Sequence, residues 1–370
     1  MAASKSAVIV DLLRREVSGM TPGARFASEN ELASRFGISR PTAARALQEL
    51  SSSGLVVRRA GSGTYVGAAV SDLHGGETTP RTFGVMLPGL GATEVWDPLS
   101  RYIDQACSAL GITRVVGPEE VPHDDIAATT AQAEWLIERG VDGVLLAPME
   151  AVADRERANL AICARFTDAG LPVVLVDRDV VEFPGRSDFD VVGMDSARAG
   201  ALMGAHLTSQ GFTRPVFLSR PLFPSTTDLR VAGCASALAR GGVSVRRDWH
   251  VTGDPADGPW VSAVLDEHQA DVVVCSNDRT AAILIQTLVR EGYKVPDDVA
   301  VVGFDDAAYS ELLSITLTTV AQPFPAIARA AVRRLADRVV EPGLDPVEIL
   351  LPPRLIIRDS SARSGGGGGQ

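Results

Sequence analysis

Four side chains in one short stretch, Ser39, Arg40, Thr42 and Arg45, have the chemistry needed to read a nucleic-acid groove. An arginine fork gives two hydrogen bonds to guanine O6 and N7, and serine or threonine hydroxyls reach base edges or phosphates. Arg58 and Arg59 precede Ala60-Gly61-Ser62-Gly63, where glycine lets a backbone approach a sugar-phosphate chain closely. Further on, polar residues collect where short apolar runs end: Asp177-Arg178, Asp195, Ser276-Asn277-Asp278 and Asp305-Asp306. Such residues either meet a polar ligand beyond the strand ends or cap the next helix.

The elements that must position the first set are legible. Ser28 with Glu31 forms a capping box, Leu32 and Phe36 share a face, and Gly37 closes that helix. Ser39 caps a second helix whose apolar stripe is Ala43, Ala46, Leu47 and Leu50, which leaves Arg40, Thr42 and Arg45 around the exposed start. Strands over 55–59 and 64–66, joined by the glycine-rich tip, add a wing. Residues 6–18 space Ile9, Leu12, Leu13 and Val17 as a first helix that packs behind. Any single Ser-Arg-x-Thr is more often a solvated basic face than a DNA contact. Helix, turn, helix and wing in register point to a winged helix-turn-helix.

Pro22-Gly23, Ser28-Glu29-x-Glu31-Leu32-Ala33, Phe36-Gly37-Ile38-Ser39-Arg40-x-Thr42 and Gly61-Ser62-Gly63-Thr64 together resemble the gluconate-repressor (GntR) family signature over residues 6–67. The resemblance implies double-stranded DNA as partner and Ser28, Asn30, Ser39 and Arg40 among its contacts, with Thr42, Arg45, Arg59 and Gly61. The family usually has a basic residue where Asn30 stands, an arginine at Ala44 with Arg45 one place later here, and often Gln or His at Ala60.

Composition bounds the remainder. Apolar residues make up 45% and charged residues 22% of 370, as in globular chains of two or three domains. The net charge is −11, but residues 1–70 hold nine Lys or Arg against five Asp or Glu, so DNA contact is expected at the N-terminal end alone. Cys107, Cys163, Cys234 and Cys275 are far apart in apolar settings, which predicts buried reduced thiols and no metal site. There is no secretion signal and no apolar run of membrane-spanning length, so a cytoplasmic protein without membrane contact is expected.

Residues 68–81 read as a polar linker and 361–370 as a flexible Gly-rich tail. From 82 on, strands at 83–87, 141–147, 173–177, 190–194, 215–219, 271–275 and 299–303 alternate with helices at 98–110, 198–210, 229–239, 260–268 and 280–291. That alternation marks parallel α/β structure. Gly140-Val-Asp-Gly-Val-Leu-Leu, Leu171-Pro-Val-Val-Leu-Val-Asp-Arg178 and Val295-Pro-Asp-Asp-Val…Gly303-Phe-Asp-Asp306 look like the effector domain of lactose/galactose repressors (LacI/GalR) over 82–360. This implies a periplasmic-binding-protein-like domain of two lobes, with crossovers near 195 and 320.

Carried over one by one, Arg230 matches an arginine on sugar hydroxyls, and Asn277 and Asp305 match polar sugar ligands. Trp260 and Phe324 match aromatics that pack on a pyranose face. Asp177, Arg178 and Gln322 fall at more variable pocket positions, and Trp96-Asp97 at a looser one. Vicinal hydroxyls suit such donors and acceptors, and C–H faces suit aromatic rings. Trp260 alone has an ordinary core reading, and Asp305 alone a capping one.

The expectation is therefore an α/β chain with an N-terminal winged helix-turn-helix and a two-lobed domain of parallel sheets. It would act as a homodimeric transcriptional regulator of the repressor type on a palindromic operator, controlled by a small sugar or polyol and using no cofactor. A carbohydrate enzyme with an accessory winged helix is the alternative. It lacks a P-loop, a Gly-x-Ser-x-Gly elbow or a metal cluster, and Asp305-Asp306 has no partner nucleophile. A surface-anchored sugar receptor is opposed by the missing signal peptide.

Overall fold

The computed structural model describes residues 9–10, 12–13, 16–17, 20, 23–52, 55–59, 63–67, 81–87, 89, 95–117, 122, 124–150, 152–182 and 184–362. Linker residues 68–80, tail residues 363–370 and the wing tip at 60–62 lie outside these residues, while Ser361, expected in the tail, is buried and bonded to His206 at 2.8 Å. The chain divides into two compact units, Met1–Thr79 and Pro80–Gln370.

In the first unit, residues 9–10, 12–13 and 16–17 are helical, followed by β1 (Arg25–Phe26), α1 (Glu29–Phe36), α2 (Arg40–Ser52), β2 (Val56–Arg59) and β3 (Gly63–Val66). Both halves of the expected capping box form: Ser28 Oγ accepts from the Glu31 N–H at 3.3 Å and Glu31 Oε2 from the Ser28 N–H at 2.6 Å. Gly37 ends α1 at φ 60°, a left-handed conformation that glycine adopts without Cβ strain. β3 pairs antiparallel with both β2 and β1, in the order β1-β3-β2. Ile9, Leu13, Val17, Leu32, Leu47 and Leu50 are buried together. Leu12, expected on that stripe, is 47% exposed instead, because Val10 takes the inward place.

The described residues of the second unit hold two parallel sheets and a two-stranded antiparallel one. Strands β4 (Thr82–Met86), β5 (Thr113–Val116), β6 (Gly143–Leu146), β7 (Val173–Val176), β8 (Asp190–Met194) and β14 (Glu348–Leu351) form a parallel sheet ordered β14-β8-β7-β6-β4-β5. Strands β9 (Pro215–Ser219), β10 (His250–Thr252), β11 (Val272–Cys275) and β12 (Ala300–Val302) form a second parallel sheet ordered β10-β9-β11-β12. Helices cover both faces of each sheet, so β6, β7, β9 and β11 are buried along their whole length. The chain passes between the lobes at 195, at 322 and again between β14 and β15 (Arg354–Ile356), which pairs with β13 (Thr319–Ala321).

Several elements differ from the sequence expectation. Helix α3 (Trp96–Ala109) starts before Pro98, since proline in a first turn lacks only an N–H that has no helical partner. Helix α7 (Thr226–Arg240) starts three residues early. Helix α8 (Gly258–His268) starts behind the cap Asp257, and α9 (Asp278–Arg290) behind the cap Asn277. Strand β7 stops at Val176 because Asp177 turns to φ 77°. The strands β5, β10, β13, β14 and β15 and the helix α10 (Phe324–Val340) were not foreseen. All four cysteines are free and buried, and burial pushes the thiols of Cys107 to about 11 and of Cys163 and Cys234 to about 12.

Candidate functional site

The residues expected to contact DNA belong to α1, the start of α2 and the wing. Ser39 Oγ accepts from the Thr42 N–H at 3.3 Å and lies 2.7 Å from Thr42 Oγ1, so one hydroxyl pair fixes the start of α2. Arg40 is 69% exposed and its Nε is 3.5 Å from Glu29 Oε2, a surface pair that water and salt screen. Asn30 and Arg45 are exposed, and Ser28 is committed to its cap. Arg59 contributes backbone pairing with Gly63, while its side chain and Gly61 lie outside the described residues. Ser39 thus precedes α2 and Arg40 and Thr42 stand on its first turn, opposite the buried face of Ala43, Ala46, Leu47 and Leu50, as groove reading requires.

The second site is a cavity of about 380 Å³ between the lobes. It lies where the strand order of both sheets reverses, beyond the carboxyl ends of β4, β6 and β7 on one side and of β9, β11 and β12 on the other. Trp96, Glu150, Asp177 and Arg178 line it from the first lobe, and Arg220, Phe223, Thr227 and Arg230 from the second. Asn277, Arg279, Thr280, Asp305 and Gln322 complete the wall.

Two buried guanidiniums define its electrostatics. Arg178 is 2.5 Å from Glu150 Oε1 and 3.1 Å from Asp177 Oδ2, donates to the Pro148 carbonyl at 3.1 Å, and lies over the Trp96 ring. Arg230 donates to the Ser276 carbonyl at 2.7 Å, faces Asp305 Oδ1 at 3.5 Å, and stacks over Phe304 at 4.9 Å. Gln322 donates to the same Asp305 oxygen at 2.8 Å. Burial raises the Asp305 carboxyl to about 6 even though Arg230 and Gln322 oppose it, and burial also raises Asp177. Asp177, Leu222 and Asp305 all hold positive φ, at 77°, 59° and 115°, so backbone strain collects around this cavity.

Of the expected effector residues, Asp177, Arg178, Arg230, Asn277, Asp305 and Gln322 come together here. Asn277 lines the cavity while its Oδ1 accepts from the Thr280 N–H. Three do not come together. Trp260 packs under Gly253, whose Cβ would sit 2.2 Å from the indole, and rests against the second lobe's outer core. Phe324 packs on the central core at the start of α10, and Asp97 is exposed on α3 and absent from the cavity wall. The aromatic surface comes from Trp96 and Phe223 instead, one residue before Asp97 and in the loop after β9. Glu150, Arg220, Thr227 and Arg279 were missed. Glu150 and Arg220 follow β6 and β9 and obey the same strand-end rule that located Asp177.

Asp305 and Asp306 do not form an acid/base pair, because Asp306 Oδ1 accepts from Arg358 at 2.8 Å. Asp248, Glu267 and His268 bring possible ligand atoms within 4.8 Å of one another, but Arg246 grips both oxygens of Asp248 at 2.9 and 2.8 Å. Among the described residues no helix is long and apolar enough to cross a membrane.

A helix-turn-helix with a wing, joined to two lobes around a charged cleft, defines a DNA-binding transcriptional regulator rather than an enzyme. Residues 5–66 match the profile of bacterial regulatory proteins of the gntR family, and residues 205–361 that of the periplasmic binding protein-like domain. The chain therefore joins a gntR-type DNA-binding domain to a periplasmic binding protein-like effector domain, and the curated relatives that it matches are transcriptional repressors. It is 23% identical over 366 residues to the arabinose metabolism transcriptional repressor of Geobacillus stearothermophilus, covering 95% of each chain. It is 31% identical over 231 residues to the HTH-type transcriptional repressor PurR of Mannheimia succiniciproducens, covering 61% of this chain and 66% of that one. Its fold matches that of the transcriptional regulator CelR in complex with cellobiose, with a TM-score of 0.65 at 22% identity over 90% of this chain and 100% of that one.

Proposed function

We propose that the chain is a cytoplasmic repressor that binds a palindromic operator as a homodimer, and that a small polyhydroxylated ligand between the lobes sets its hold on DNA. Residues 1–67 would be the DNA-binding domain, 68–81 the linker, 82–360 the effector domain and 361–370 a tail. The observation that carries this reading is the inter-lobe cavity, whose two buried arginines are each braced by carboxylates from the ends of neighbouring strands. Side-by-side donors and acceptors recognise vicinal hydroxyls, and Trp96 and Phe223 offer apolar faces for C–H surfaces. The relatives named for arabinose metabolism and the cellobiose complex point the same way.

The proposed effector contacts are Asp177, Arg178, Arg230, Asn277, Asp305 and Gln322. Arg40 and Thr42, with Ser39, Asn30 and Arg45, are the proposed DNA contacts. Ligand closure of the lobes would shift the population of dimer arrangements and so the spacing of two winged helices, which a palindrome reads through two-fold symmetry. The test is a thermal-shift panel of sugars, polyols and purines on the full chain, with a footprint on the DNA upstream of its own coding sequence. A sugar or polyol that stabilises the chain without turnover and alters a two-fold symmetric footprint is the expected result. Turnover of the compound, or stabilisation by purines alone, would contradict the reading.

A further inference from the structure

The charge around the cleft is unevenly divided. The first-lobe wall carries one guanidinium, Arg178, between two carboxylates, Glu150 and Asp177. Among the described residues, the opposite wall carries three guanidiniums, Arg220, Arg230 and Arg279, and the carboxylate Asp305. The first turns of α7 and α9 open onto that same wall through Thr227 and Thr280, and helix N-termini add positive potential there. The N-cap of α7, Ser225, makes no side-chain cap bond.

A second, independent observation concerns unmet hydrogen bonds. Thr227 Oγ1, Thr280 Oγ1 and Arg230 Nε are buried without a hydrogen-bond partner on the cationic wall, against Arg178 Nε on the first-lobe wall. Thr227 is 1% exposed and Thr280 is fully buried. Leaving such groups unmet is costly, and a bound acceptor recovers that cost. Arginine Nε is a donor only and a hydroxyl can donate, so the complementary group is rich in acceptors.

Building on the reading of the cleft as an effector site, we infer that the effector is an anionic polyol, with a carboxylate or phosphate on a polyhydroxylated body. The anionic group sits on the second-lobe wall at Arg220, Thr227 and Arg279. The hydroxyls lie toward Trp96, Asp177 and Arg178, because the paired acids of that wall repel a second negative charge and accept from hydroxyl donors.

The test uses the full chain and matched pairs in calorimetry: D-glucose against D-gluconate, D-glucose against glucose 6-phosphate, and D-ribose against ribose 5-phosphate, with inorganic phosphate alone as a further ligand. At least one anionic member should bind about tenfold or more tightly than its neutral partner. That ratio should fall toward one in Arg220→Gln and Arg279→Gln, both at exposed positions, with circular dichroism and the melting temperature of each variant confirming the fold. The gluconate and phosphate arms tell the two anion types apart. A neutral sugar that binds as well as or better than its charged partner would overturn the inference while leaving the effector reading intact. Inorganic phosphate that binds as tightly as a sugar phosphate, or an unchanged ratio in both variants, would overturn it too. If no compound in either arm binds, the polyol reading of the cleft falls with it.

Discussion

At the scale of single residues, the two sites use arginine in opposite ways. Arg40 is mostly exposed with one weak surface partner, so its side chain is free to reorganise onto a base edge. Arg40→Ala should cost about 1–3 kcal/mol on the cognate operator and less on random DNA, as read by anisotropy titrations on both. Equal losses on the two would remove Arg40 from base readout.

Asp278 is a third kind of charged residue, sunk behind the cleft. It accepts from Thr319 Oγ1 at 2.6 Å and from the Ala307 N–H and Ser310 Oγ at 2.8 Å each, tying a crossover strand to the second lobe. Burial, and then the charge of Asp305, lift its carboxyl to about 7 against those hydrogen bonds. A folded-state value above the unfolded one means that the folded chain holds the extra proton. The contribution is therefore fully present below about 4 and is lost as pH rises toward 7. Urea unfolding should show the wild type losing stability between pH 5 and pH 8, and Asp278→Asn losing less over that range. Identical slopes would show that the carboxyl titrates normally.

At the scale of elements, the cleft depends on how closely helices α6 (Ser196–Ser209) and α7 approach. A Cβ on Gly233 would stand 1.9 Å from the Ala197 carbonyl, and one on Gly200 would stand 2.0 Å from the carbonyl of Arg230 itself. Backbone cannot yield as a flexible side chain does, so the helices would have to separate and carry Arg230 with them. Gly233→Ala should destabilise by about 1–3 kcal/mol in chemical denaturation and weaken effector binding as well. Wild-type stability in this variant would mean that the helices have room to part.

The same elements show what was legible in the sequence. Capping residues and period made α1, α2 and the alternation of strands and helices readable, because local chemistry fixes them. Strand-end position located Asp177, Arg178, Asn277 and Asp305 for the same reason. Trp260 and Phe324 were misread because an aromatic beside a helix start serves a core as well as a cleft, and only packing decides which. Arg220 and Glu150 follow strand ends as well, but strand-end position alone does not tell a loop charge that faces the cleft from one that faces solvent. The short strands β13, β14 and β15 exist through long-range pairing, which a local pattern does not carry.

At the scale of the whole molecule, the two lobes already touch at the mouth of the cleft. Arg155, on the first-lobe helix α5 (Arg155–Asp168), pairs with Glu182 at 2.7 Å and donates to the Phe223 carbonyl of the second lobe at 2.7 Å. Phe223 lies in the loop that covers the cavity, so lobe closure and the effector site share one piece of backbone. A ligand shifts such an equilibrium only by its differential affinity for the closed arrangement. Under the proposed function, this shift is felt at the winged helix.

The most direct test is an anisotropy titration of labelled upstream DNA with wild type and Arg230→Ala. Each would be run without ligand and with the compound from the panel that stabilises the wild type most. The account predicts that the compound changes the wild-type DNA dissociation constant by about tenfold or more, a coupling of about 1.4 kcal/mol. Arg230→Ala should bind DNA as tightly as the free wild type and fail to respond. A wild type whose DNA affinity is unmoved by a saturating cleft ligand, or an Arg230→Ala variant that responds as the wild type does, would contradict it.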